Sequence, residues 1–98
     1  TVFYVDFDNI LKKKDIREIK LMIDHKNSNM HGDKSSVIIR EINCSELMYR
    51  DLETNFFKSN LGNGKKGRGS GKIESPKWKY SHPGSSSGEI AKIICKLN

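Results

Sequence analysis

Ninety-eight residues with 35% hydrophobic side chains, 31% charged ones and a formal charge of +6 are enough for one small domain, residues 1–98, with little apolar material to spare. No apolar run approaches the roughly 18 residues that cross a bilayer, and the opening TVFYVDFDNI has neither the charged n-region nor the cleavage site of a signal peptide, so a soluble, intracellular chain with no membrane partner is expected. It begins with Thr1 rather than Met, which leaves a fragment or a processed chain open.

VFYVDF alternates Val2, Tyr4 and Asp6 with Phe3, Val5 and Phe7 and predicts a first strand. DIREIKLMIDHK reads two ways. As a helix, Asp15 caps, Glu18 completes a capping box, and Ile16, Ile19, Met22 and Ile23 share a face. As a strand, Ile19, Leu21 and Ile23 alternate with Lys20, Met22 and Asp24. The helical reading is preferred. KNSNMHGDK is a polar turn, and SSVIIREIN after it is a strand.

SELMYRDLETNFFKSN has the pattern of a helix, with Ser45 as cap and Met48, Leu52 and Phe56 as an apolar stripe that ends at Asn60 and Gly62. Residues 59–75 follow as a flexible basic loop; Asn60 to Lys72 alone holds five glycines and Lys65, Lys66, Arg68 and Lys72. No side chain of that run can fill a core, so its order is expected to come from whatever it binds. KWKY at Lys77 to Tyr80 starts another strand, SHPGSSSG is a turn, and EIAKIICKL is read as a helix opened by Ser86 and Glu89. The sum is an α+β fold, two or three helices on a small, mostly antiparallel β-sheet.

Charge is distributed unevenly. Residues 1–59 hold ten basic and ten acidic side chains, whereas residues 60–98 hold eight basic against Glu74 and Glu89, so the whole excess of +6 lies in the last 39 residues. That asymmetry points to a polyanionic partner. Lys65, Lys66, Arg68, Lys72, Lys77 and Lys79 supply phosphate-neutralising cations, with Trp78 and Tyr80 as stacking rings. A nucleic-acid-binding domain is therefore the leading expectation, RNA or another single strand ahead of duplex DNA. The run is no Walker loop, since Gly71-Lys72 is followed by Ile73 and no helix opens there.

A small nuclease is the alternative. In a metal-free ribonuclease His82 would act as acid or base with Glu89 as partner; in a metal-dependent enzyme Asp6, Asp8 and Glu18 would hold Mg²⁺ and Lys20 would position water. The spacing from Asp6 or Asp8 to Glu18-Ile19-Lys20 is similar to the D…ExK pattern of restriction-endonuclease-like nucleases, a geometry that requires the strand reading of Ile16 to Ile23. YVDFDNIL resembles, over about ten residues, the opening strand of NYN/PIN-like nucleases and the first motif of haloacid-dehalogenase-like phosphatases. The later motifs of both do not follow, and neither family is adopted. No cofactor is expected outside the Mg²⁺ alternative. A third reading is a protein-interaction domain whose basic loop meets an acidic partner. Cys44 and Cys95 have no metal-site spacing and are expected as buried free thiols, although an even pair also permits a disulfide.

Overall fold

In a computed structural model that describes residues 1–97, the chain forms one antiparallel sheet with a single helix on one face. The strands are β1 (Val2–Val5), β2 (Leu11–Lys13), β3 (Ile16–Asp24), β4 (Ser35–Asn43), β5 (Met48–Phe57), β6 (Gly71–Lys72) and β7 (Lys79–Tyr80), followed by α1 (Ser86–Lys96). A 3₁₀ turn, Phe7–Asn9, separates β1 from β2. Both of those strands pair with β3, which pairs with β4 and β4 with β5; β6 then pairs with the middle of β5, at Glu53 and Thr54, and β7 with its start, at Met48 and Tyr49.

Two expected helices are strands. Ile16 to Asp24 forms nine residues of β3, hydrogen-bonded along its length to β4 and along its other edge to β1 and β2. Its period is two: Ile19 and Leu21 are buried while Lys20 between them is exposed. The capping box of Asp15 and Glu18 is a local preference that pairing on both edges overrides. Met48 to Phe57 forms β5, and all ten of its residues are half-buried. Its apolar residues are spread over both faces of the strand, which is why their spacing imitates a helical stripe.

The β4–β5 register is set by reciprocal charge. Arg40 lies opposite Asp51 and Glu41 opposite Arg50, with contacts of 2.6 Å and 2.7 Å. The register shifts beside Arg40, leaving Leu52 as the extra residue of a bulge. Arg40 is only 7% exposed; its guanidinium grips both oxygens of Asp51 and lies 4.4 Å from the centre of the Tyr49 ring.

The α+β class stands, with one helix in place of two or three. Ser85 caps α1 by accepting from Gly88 N at 3.1 Å, one residue before the expected cap. Ile90, Ala91 and Ile94 pack on Ile19, Leu21, Ile38 and Ile42, and this cluster is the core. The far end of the helix is tied down covalently. Cys44 and Cys95 form a disulfide across 51 residues, where the sequence was read as two free thiols; side chains distant in sequence meet because α1 crosses the sheet to the turn after β4. Closing a loop of that length removes unfolded-chain entropy equivalent to about 4 kcal/mol in the chain-entropy model.

Serine at both positions 44 and 95 is therefore expected to lower the unfolding free energy by about 2–5 kcal/mol, measured by urea denaturation. A loss below about 1 kcal/mol would show that packing of Ile90, Ala91 and Ile94 holds the helix without the crosslink.

Candidate functional site

The glycine-lysine run is held by the protein's own groups. Lys58 N donates to Lys65 O at 2.9 Å, Ser59 N to Asn63 O at 3.1 Å and Gly67 N to Phe56 O at 2.8 Å. Asp24 Oδ1 accepts from Leu61 N and from Asn60 Nδ2, and Ser35 Oγ accepts from Gly62 N while donating to Ser59 O. Ser70 Oγ accepts from Phe56 N and donates to Gly67 O. The expectation of a strip ordered only by its partner is replaced by one laced to the end of β5.

At the centre lies Asp33, 1% exposed. Its carboxylate meets Lys58 Nζ at 2.8 Å, its backbone N–H donates to Asn29 Oδ1, and Asn29 Nδ2 donates back to Oδ2. Gly67 packs directly on the carboxylate, so a Cβ there would overlap it. Lys58 also donates to His31 O at 2.7 Å. One buried acid thus joins the 25–34 turn to the 58–68 segment.

The junction gathers charge into a basic pole. Lys26, Lys34, Lys65, Lys66 and Arg68 are exposed on the two segments; the one acid of these segments, Asp33, is already paired with Lys58. Lys58 holds the Asp33 carboxyl below the ordinary carboxylate range, with Asn29 and His31 adding to the effect against the cost of burial. Leu61 N–H does the same for Asp24, helped by Asn60. The sequence count gives residues 1–59 no excess of charge; Lys26 and Lys34 join the pole because β3 and β4 deliver their turn to the end of β5.

The other expected contacts lie elsewhere. Lys66 bridges to Phe57 and Tyr80 pairs with Met48, so the two groups are separated by nearly the whole of β5, roughly 30 Å at 3.3 Å per residue. Lys72 sits between them opposite Glu53. Trp78 is half-buried, and its ring already carries the Arg50 guanidinium 4.5 Å from its centre. Tyr80 is 46% exposed with its edge contact to His82 at 4.7 Å. Lys77 and Lys79 line a shallow cleft with Tyr49 and Asp51. Six cations and two rings that are close in sequence are therefore strung out along one edge of β5 instead of gathered at one point.

His82 and Glu89 are both exposed, and no hydrogen bond joins them among the described residues. The strand geometry required by the D…ExK spacing is present, and Asp6, Glu18 and Lys20 line one cleft with Asn9. Asp6, however, spends its carboxylate on Asp8 N and Asn9 Nδ2, while Asp8 is exposed on the 3₁₀ turn. Among the described residues no three His, Cys, Asp or Glu side chains converge to hold a metal ion.

Two outcomes are expected from the Asp33 junction. Gly67→Ala forces a methyl group against the carboxylate and is expected to cost about 1–3 kcal/mol, read from denaturant unfolding. Because the folded-state pKa values of Asp24 and Asp33 are lowered, their contribution to stability is complete above the unfolded carboxylate value of about 3.9 and is lost as pH falls through the folded values. Asp33→Asn should flatten that acid limb of the melting curve; an unchanged limb would remove Asp33 from the account.

A family model described as "Surface-adhesin protein E" matches residues 1–96. Among solved structures the fold is similar to a crystal form of Haemophilus influenzae protein E, with a TM-score of 0.76 and 17% identity over 95% of this chain and 79% of that one. Protein E from non-typeable Haemophilus influenzae has a TM-score of 0.71 at 17% identity, over 95% of this chain and 68% of that one. No curated protein sequence matches. These findings overturn three expectations. The nucleic-acid-binding reading falls, because the matched family is one of adhesins, and the third reading, a protein-interaction domain, is the one these findings favour. Nucleic acid falls with it as partner. The intracellular location falls too, since the family is a surface one and the Cys44–Cys95 crosslink is of a kind that persists in oxidising surroundings. With the family's model matched along all but its last two residues, the chain belongs to the surface-adhesin protein E family.

Proposed function

We propose that this chain is a protein-binding adhesin domain that works outside the cell and presents its basic pole to an acidic surface on a protein partner. The observation that carries this reading is the family match over residues 1–96; the pole adds the chemistry. Lys65, Lys66 and Arg68 project from a backbone already held by Asp33, Asp24 and Ser35. A strip ordered in advance loses little entropy on binding, so more of the electrostatic attraction is left as affinity. Exposed cations of one sign act mainly on the encounter: they speed association with an acidic surface and make it sensitive to salt. Lys58 has a different part. It is tied to Asp33 and His31, so it holds the pole together while the exposed cations meet the partner.

Labelled protein applied to animal epithelial monolayers tests both halves of the proposal. Binding is expected to disappear when the cells are treated with trypsin, to survive nuclease treatment, and to be displaced by polyglutamate. Replacing Lys65, Lys66 and Arg68 together by Ala should slow association by about tenfold or more while the melting temperature stays within about 2 °C, because exposed charges contribute little to folding. Binding that survives trypsin, or that is undiminished in the triple variant, would overturn the proposal.

A further inference from the structure

On the helix side of the sheet, away from the basic pole, a cleft of about 340 Å³ opens where α1 meets the turn that follows β7. Leu47, Pro83 and Ala91 line it with apolar surface, and Ser81, Glu89 and Lys92 bring polar groups. Close backbone packing builds it. Ser81 N donates to Leu47 O at 2.8 Å, and Leu47 itself is held at φ 55°, a left-handed conformation unusual for leucine. Gly88 lies against the carbonyl of His82 with no room for a Cβ, so the 82–85 turn is clamped onto the first turn of the helix. His82 O also accepts from Ser85 Oγ at 2.6 Å.

Ser81 is the residue that this packing leaves unexplained. It is only 4% exposed, and among the described residues its Oγ has no hydrogen-bond partner. A buried hydroxyl left unpaired costs about 1–3 kcal/mol, which a ligand's polar group would relieve. Serine χ1 has three staggered wells, so the hydroxyl can turn toward a group seated in the cleft. The charges nearby favour an anion. Lys92 carries an ammonium at the rim, and the N-terminal end of an eleven-residue helix adds partial positive charge. Glu89, the acidic residue of the lining, opposes them and limits affinity.

We propose that this cleft binds a carboxylate carried on a short apolar stem, with Ser81 Oγ and Lys92 Nζ as its donors and Leu47, Pro83 and Ala91 around the stem. A glutamate side chain of a bound protein and a free aliphatic acid share that chemistry. Neither the basic pole nor the adhesin reading is needed for the cleft to do so, and failure at one site leaves the other untouched.

Titration of the isotope-labelled full chain with three probes, followed by amide NMR, tests the site: N-acetyl-glutamate N-methylamide, isocaproate and the neutral isocaproamide. Saturable shifts are expected at the amides of Leu47, Ser81 and Gly88 for one or both carboxylates, with dissociation constants on the order of 1 mM for ligands of this size. Tighter binding of the glutamate derivative would assign the cleft to a protein side chain, and tighter binding of isocaproate to a small acid. Ser81→Ala and Lys92→Gln should each weaken binding by roughly 3- to 10-fold, and Glu89→Gln should strengthen it. Ser81→Ala removes an unpaired buried hydroxyl, so its melting temperature should hold or rise, which separates lost affinity from lost structure. Equal binding of isocaproamide, no shifts at these amides, or affinity unchanged by both Ser81→Ala and Lys92→Gln would overturn the proposal.

Discussion

The pairing of β5 with β4 is the constraint from which the rest of the molecule is hung. Two reciprocal ion pairs, Arg40 with Asp51 and Arg50 with Glu41, set its register. Every later strand uses the far edge of β5: the basic segment bridges it at Phe57, β6 joins at Thr54 and Glu53, and β7 joins at Tyr49 and Met48. A slip of one residue would exchange the faces of β5. It would separate Arg40 from Asp51, move Arg50 off Trp78, and carry the lysine-rich segment away from Asp33. The same strand explains why the basic run and the KWKY segment part company, since they occupy its opposite ends.

What could be read from the sequence follows from how local each signal is. β4 alternates buried with half-buried residues over most of its length, and Ser35–Asn43 forms the strand that SSVIIREIN predicts; Val2–Val5 is a strand as its β-branched and aromatic residues predict. The last helix has its cap and its buried face within eleven residues. β3 and β5 were lost for a different reason. In β3 a capping box competes with alternation, and pairing on both edges decides the outcome. In β5 both faces are half-buried, so neither period stands out, and the deciding partners lie on another strand. A signal was nonetheless present: Arg40-Glu41 followed across a short turn by Arg50-Asp51 is the charge pattern of an antiparallel hairpin. The disulfide had no local signal at all, because the position of α1 across the sheet decides it.

The basic strip shows how composition can mislead about order. Its glycines read as freedom, yet Gly67 is present because the Asp33 carboxylate occupies the place of a side chain. Asp33 sits in a stretch that the sequence shows only as a polar turn, and it is the buried acid of the site. The positive charge of the run was legible; the acid that fixes it and the two lysines that join it were not, because strand pairing brings them together. The Trp78 ring carries a similar lesson, for its stacking partner is Arg50 within the protein itself.

The central claim is that the lysine-rich segment is ordered in the free protein, before any partner arrives. Backbone nitrogen relaxation across residues 60–72 of the unbound chain tests it most directly. Order parameters near 0.85, as in rigid backbone, are predicted for Leu61, Lys65 and Gly67, matching those of β5. Values below about 0.6 across the segment would contradict the account and return the strip to a flexible loop.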